Sequence, residues 1–144
     1  MSSPNSIIFE IHGAAVPKGR PRFSKRGAFV QTYTPSKTLD YEKHVQRAFI
    51  AAAPNHTSRT CAVAMSICID VAIPASWSKN RVQGAINGEV IPVHRFDVDN
   101  VAKSILDSLN GIAYDDDGRV CQLNVSKRYA LVAKTVVAIQ FLEK

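Results

Sequence analysis

The chain has 144 residues, with eighteen Lys and Arg against twelve Asp and Glu, for a net charge of +6. That length fits one domain with a real core. Its ordinary apolar content excludes wholesale disorder and leaves only residues 1–6 as a flexible tail. No apolar run is long enough to span a membrane, and no secretory signal heads the chain, so a soluble cytoplasmic protein is expected. The basic balance points to nucleic acid or an anionic surface as partner, although surplus charge for solubility accounts for the total equally well. Cys61, Cys68 and Cys121 lack both C-x-x-C spacing and paired histidines. This argues against a zinc site or a disulfide framework and fits a reducing compartment.

In chain order, residues 7–12 alternate, with Ile7, Phe9 and Ile11 on one side, and predict a first strand. Residues 15–31 are broken by Pro17, Gly19, Pro21 and Gly27 and predict a loop or an irregular hairpin. Thr34 as N-cap and Pro35 in the first turn start a helix. It carries Leu39, Tyr41, Val45 and Phe49 to about residue 53, where Pro54-Asn55 ends it. Residues 61–73 are the clearest strand, with Val63, Met65, Ile67, Ile69, Val71 and Ile73 on one face.

Residues 76–91 are polar and predict a short helix followed by a mobile loop. A second main helix follows Asp99 or Asn100. Val101, Ala102, Ile105, Leu106 and Leu109 form its apolar stripe, and Asn110-Gly111 stops it. Residues 120–129 and 131–142 predict two strands, expected as an antiparallel pair. The order β, α, β, α, β, β gives a single small α+β domain over 1–144. Its sheet is mixed or antiparallel, with two main helices packed on it.

Six of the twelve acidic residues, Asp97, Asp99, Asp107, Asp115, Asp116 and Asp117, crowd into one short stretch of this basic chain. Crowded carboxylates repel one another unless something positive sits among them, and the usual occupant is a divalent cation with oxygen ligands. In an extended segment Asp97 and Asp99 would project together from a strand end. The helix carries the chain away, and its stop returns Asp115, Asp116 and Asp117 to the same end. Such a set suits Mg²⁺, with Lys103 one helical turn from Asp99. Blander readings stand beside this one: Asp99 as a simple N-cap, Asp-Asp-Asp-Gly as a surface turn, Lys103 as a solvated helix residue. An EF-hand is excluded, because its fifth, sixth and twelfth positions would be Val101, Ala102 and Ser108. A sugar-nucleotide transferase would need a nucleotide-binding βαβ unit, which does not precede the Asp pair.

Lys18, Arg20, Arg22, Lys25 and Arg26 fall close together among prolines, with Phe23, Phe29 and Tyr33 nearby. Guanidinium groups fork onto phosphates and rings stack on bases, so the segment reads as a DNA-binding arm. A solvated basic loop with Phe23 and Phe29 in the core is the alternative.

The motifs Pro17-Lys18-Gly19-Arg20-Pro21-Arg22, Tyr33-Thr34-Pro35 leading to Asp40-Tyr41-Glu42, and Asp97-Val98-Asp99-Asn100-Val101-Ala102-Lys103 occur in order. Asp107-Ser108-Leu109-Asn110-Gly111, Asp116-Asp117 and Val125-Ser126-Lys127-Arg128-Tyr129 follow them. Together they resemble the RusA family of Holliday junction resolvases over roughly residues 7–142. The resemblance implies a bacterial or phage-encoded homodimeric endonuclease that uses Mg²⁺, with Mn²⁺ as a possible substitute. Such an enzyme cuts four-way DNA junctions symmetrically in recombination and repair. The family's catalytic aspartates fall on Asp97, Asp99 and Asp117, with Asp116 as the alternative register, and its lysine on Lys103. The pattern departs at Phe96, where a basic residue or proline is usual, leaving Arg95 or His94 to supply that charge. A non-catalytic basic nucleic-acid module, or a nuclease for other branched DNA, are the rival expectations.

Overall fold

The computed structural model describes residues 5–19, 22–26, 29–33, 36–94 and 96–143. Strands β1 (Ser6–His12), β4 (Ala62–Ala72), β5 (Val120–Ala130) and β6 (Lys134–Leu142) form a four-stranded sheet in the order β1-β6-β4-β5. A separate hairpin pairs β2 (Arg22–Arg26) with β3 (Phe29–Tyr33). Helix α1 (Ser36–Ala52) precedes β4, and α2 (Lys79–Ile86) and α3 (Val98–Ser108) lie between β4 and β5. The α+β class and the mixed sheet follow the expectation. The Thr34-Pro35 helix start lies outside the described residues. No described helix is long and apolar enough to cross a membrane.

Period-two alternation puts one apolar face on each core strand. Ile7, Phe9 and Ile11 of β1, Val63 to Val71 at alternate positions of β4, and Val137, Ile139 and Phe141 of β6 are all buried. Helix α1 covers this face with Tyr41, Val45 and Phe49, and α3 does so with Val101, Ala102 and Ile105. Phe9 meets Phe49 edge-on at 5.5 Å, tying β1 to α1. Among the described residues no helix covers the opposite face: Ile8 is 64% exposed, and Ser66, Gln122, Asn124 and Gln140 are exposed beside it.

Two expectations are corrected. The last two strands are not partners. β4 lies between them, parallel to β5 and antiparallel to β6. β4 carries the longest apolar face and is best buried in the centre, whereas β5 bears Gln122, Asn124, Ser126 and Arg128 and tolerates an edge. β4 ends at Ala72 before Pro74 turns the chain away, so residues 131–133 pass its end and lay β6 on the far side. The second correction concerns Asp97 and Asp99. They do not project from a strand end, because α3 already begins at Val98: Asp97 is its extended N-cap residue and Asp99 lies in its first turn.

Helix α3 stops at Leu109, and Gly111 turns the chain back with φ +76. A Cβ added there meets nothing within 4 Å, so the glycine serves backbone conformation and not space. Gly111→Ala is therefore expected to cost about 1–2 kcal/mol in urea unfolding, and Gly111→Asn less, because asparagine visits the left-handed region more readily. Equal stability of Gly111→Ala and the parent would show that the turn does not require that conformation.

Candidate active site

The N-terminus of α3 is built from Asp97 and Asp99. Exposed amide groups and the aligned peptide dipoles make a helix N-terminus the place where carboxylates are best tolerated. The Asp97 backbone is extended (φ −82, ψ 137), yet its side chain makes no capping hydrogen bond. Among the described residues neither Asp97 nor Asp99 enters an ion pair. Both are exposed. One and two turns further along the same face stand Lys103 and Asp107, whose Nζ and Oδ2 are 3.6 Å apart.

The acidic turn is tied down by contacts from distant segments. Arg59 N donates to Ala113 O at 3.2 Å, and Asp115 N donates to Arg59 O at 2.9 Å. Gly111 N donates to Tyr114 O at 2.7 Å. Beneath the turn Tyr114 is fully buried, and its hydroxyl donates to Leu106 O at 2.8 Å. Burial, then the charges of Asp117, Asp107 and Asp116, push the tyrosine pKa far up, so the hydroxyl stays a neutral donor.

The three aspartates of the turn then part company. Asp115 takes Arg119 in a two-pronged pair, Nε to Oδ1 at 2.8 Å and Nη2 to Oδ2 at 2.9 Å, and that hydrogen bonding holds its carboxyl below the usual range. Asp116 accepts the Gly118 amide at 2.9 Å and caps the short 3₁₀ turn Asp117–Arg119. Asp117 has neither arrangement. Its pKa is raised by partial burial first, then by the charges of Asp116 and Asp107 and by hydrogen bonding with Asp107, while Lys103 pulls it the other way.

A second cation reaches this network. Lys18 Nζ lies 2.6 Å from Glu42 Oε1 on α1 and 3.2 Å from Asp107 Oδ2 on α3. Burial opposes its charge, but the two carboxylates hold its pKa above the ordinary lysine value. The backbone fastens the same segment: Lys18 N donates to Asn100 O at 2.9 Å, and Gly19 N to Thr38 Oγ1 at 3.0 Å. On β5, Lys127 Nζ donates to Phe96 O at 2.8 Å and His94 O at 3.3 Å, pinning the chain just before Asp97.

Of the residues expected to bind DNA, Lys18 is thus engaged by carboxylates. Arg22, Lys25 and Arg26 lie on β2, and Arg20 and Arg95 fall outside the described residues. The structure brings Lys103, Asp107 and Asp117 together and sets Asp97 and Asp99 at the start of the same helix. Among the described residues no three Asp, Glu, His or Cys side chains already converge on one point as a metal cage. The donor chemistry nonetheless suits a hard cation that keeps several waters, since every candidate ligand is a carboxylate oxygen. Sequence reasoning left Asp107 out of the core and passed over Glu42 and Lys127 as site residues. The spacing of Asp99, Lys103 and Asp107 at successive fourth residues was the available signal for Asp107.

Comparison with known proteins agrees with the motifs. A family model described as Endodeoxyribonuclease RusA matches residues 12–140. The chain is 33% identical over 136 residues to the uncharacterized protein YqaN of Bacillus subtilis (strain 168), covering 93% of this chain and 95% of that one. With the Asp-x-Asp-Asn-x-x-Lys helix start and the acidic turn both inside the matched span, the chain belongs to the RusA endodeoxyribonuclease family.

Proposed function

We infer that this protein is a Mg²⁺-dependent endonuclease that resolves four-way DNA junctions by paired, symmetric nicks in recombination and repair. One observation carries the reading. Among the described residues Asp97 and Asp99 form no ion pair and Asp97 makes no capping hydrogen bond, and Asp117 is crowded by Asp116 and Asp107, while Asp115 and Asp116 are engaged by Arg119 and Gly118. Such a set beside Lys103 supports binding of Mg²⁺, or Mn²⁺ in its place, by Asp97, Asp99 and Asp117, with Asp116 the weaker candidate.

When bound, the metal supplies Lewis acidity and an activated water at the scissile phosphate. The rest falls to the chain. Hydrolysis forms a bond from the water oxygen to phosphorus and releases the 3′ oxygen, and charge builds on the phosphoryl oxygens. Lys103, with a side chain 61% exposed and, among the described residues, only a 3.6 Å pairing to Asp107, can turn to offset that charge. Arg20, Arg22, Lys25, Arg26 and Arg95 supply cations for the backbone of the junction arms. Tyr114 and Lys127 hold the acidic turn and the segment before Asp97 in place.

A junction has approximate two-fold symmetry, so paired nicks call for a C2 dimer with one site per opposed strand. The uncovered sheet face suits the second copy. Ser6, Ile8, Ala64, Ser66, Gln122, Asn124, Ala138 and Gln140 form an uncharged stretch, and the charges at its end pair internally, Arg128 with Asp70 at 2.8 Å and Lys134 with Glu10 at 3.4 Å. A neutral face on a protein of net charge +6 is poorly matched to DNA and well matched to a copy of itself.

Asp99→Asn should slow junction cleavage by on the order of a hundredfold or more while junction binding is kept, because one negative charge fewer faces the phosphate. Normal cleavage by that variant in a Mg²⁺ titration would remove the metal assignment. Flaps and forks run beside four-way junctions test the substrate, and equal rates on all three would overturn junction specificity.

Asp117 gives a signed prediction. A carboxyl whose pKa is raised by folding weakens the fold as pH climbs through that raised value. Asp117→Asn should therefore raise the metal-free Tm near neutral pH and lose most of the Tm gain that Mg²⁺ gives the parent. A lower metal-free Tm with an unchanged response to Mg²⁺ is the contrary result. For the dimer, Ile8→Arg should yield monomers in sedimentation velocity and unpaired nicks. An intact dimer would mean that another surface is used.

A further inference from the structure

We propose that Lys18 is a positioning residue that compensates Asp107 and so leaves Lys103 free for the phosphate, and that it is not itself a contact to DNA. The inference rests on the nuclease reading of the site and assigns Lys18 a task different from that of its basic neighbours.

Asp107 Oδ2 faces two ammonium groups, Lys18 at 3.2 Å and Lys103 at 3.6 Å. The two differ in setting. The Lys18 side chain is 21% exposed and its ammonium also touches Glu42 at 2.6 Å, whereas that of Lys103 is 61% exposed and, among the described residues, is within ion-pair distance of Asp107 alone. Lys18 is also held by its backbone, through Asn100 O in the first turn of α3. A residue fixed at both ends is poorly placed to reach a DNA phosphate. An exposed lysine with a long, weak pairing can leave it at small cost.

Removing Lys18 changes that division. Among the described residues Asp107 would then have Lys103 as its single cation, and the attraction would draw Lys103 along the helix face, away from Asp99 and the phosphate. Glu42 would lose its partner too, loosening the 17–19 segment from α1. Lys103 lies one turn from the aspartate pair, so a small displacement of its ammonium matters: misplacement by about an ångström can slow chemistry a hundredfold.

The experiment uses the full chain in four forms: Lys18→Met, Lys18→Arg, Asp107→Asn, and Lys18→Met with Asp107→Asn. Junction binding is measured against salt, and single-turnover cleavage against Mg²⁺. Lys18→Met is expected to keep the parent's salt slope and to cleave on the order of tenfold more slowly at saturating protein. Lys18→Arg retains the charge and should cleave nearly as the parent does. The double variant should recover most of the lost rate, because no carboxylate remains at position 107 to capture Lys103.

A salt slope flattened by about 0.9 in Lys18→Met would make Lys18 a phosphate contact and overturn the proposal. Failure of the double variant to recover would overturn it as well. If the parent protein cuts no junction with Mg²⁺, the nuclease reading itself falls. The pairing then stands or falls on thermal melts of the same four forms, where additive effects of the two substitutions would refute it.

Discussion

Compensation of negative charge around one helix organises this structure. Six of the chain's twelve carboxylates lie between residues 97 and 117, on α3 or in the turn that follows it. Two like charges 4 Å apart repel by about 1 kcal/mol in water and several-fold more where the effective dielectric falls. The fold answers residue by residue. Arg119 takes Asp115, the Gly118 amide takes Asp116, and Lys18 with Lys103 takes Asp107. Among the described residues Asp97, Asp99 and Asp117 form no ion pair, and on them the proposed cation site rests.

The apolar core makes that arrangement possible. Val101, Ile105 and Leu109 are fully buried, which fixes the rotation of α3 and turns Asp99, Lys103 and Asp107 outward on one line. Tyr114 anchors the returning turn from below, and the chain around Arg59 pairs with it from the side. A helix held less firmly would let the lysines and carboxylates re-pair at will. The same core leaves the sheet with two unlike faces, one under α1 and α3 and one bare and uncharged along most of its length.

Much of this was legible in the residue pattern, for reasons that differ by element. The β4 alternation and the α3 stripe are periodic over more than two turns or pleats, so local sequence specifies them. The three-aspartate turn announced a site but not its division of labour. Which of Asp115, Asp116 and Asp117 is left open depends on the reach of Arg119 and on the short 3₁₀ turn, and neither has a pattern of its own. Lys18 looked like one more member of a basic arm, because nothing near it in the chain reveals Glu42 on α1 or Asp107 on α3.

The sequence by itself determined the class of the fold, the order of its elements and the cluster of acids beside a lysine, because helical and strand periods, turn residues and motif spacing are properties of neighbouring residues. Only the tertiary structure decided that β4 separates β5 from β6, that α3 starts early enough to place Asp97 at its cap, and that Lys18 faces two carboxylates. Those outcomes rest on which long-range pairings bury the most apolar surface and neutralise the most charge, and such pairings join residues dozens of positions apart.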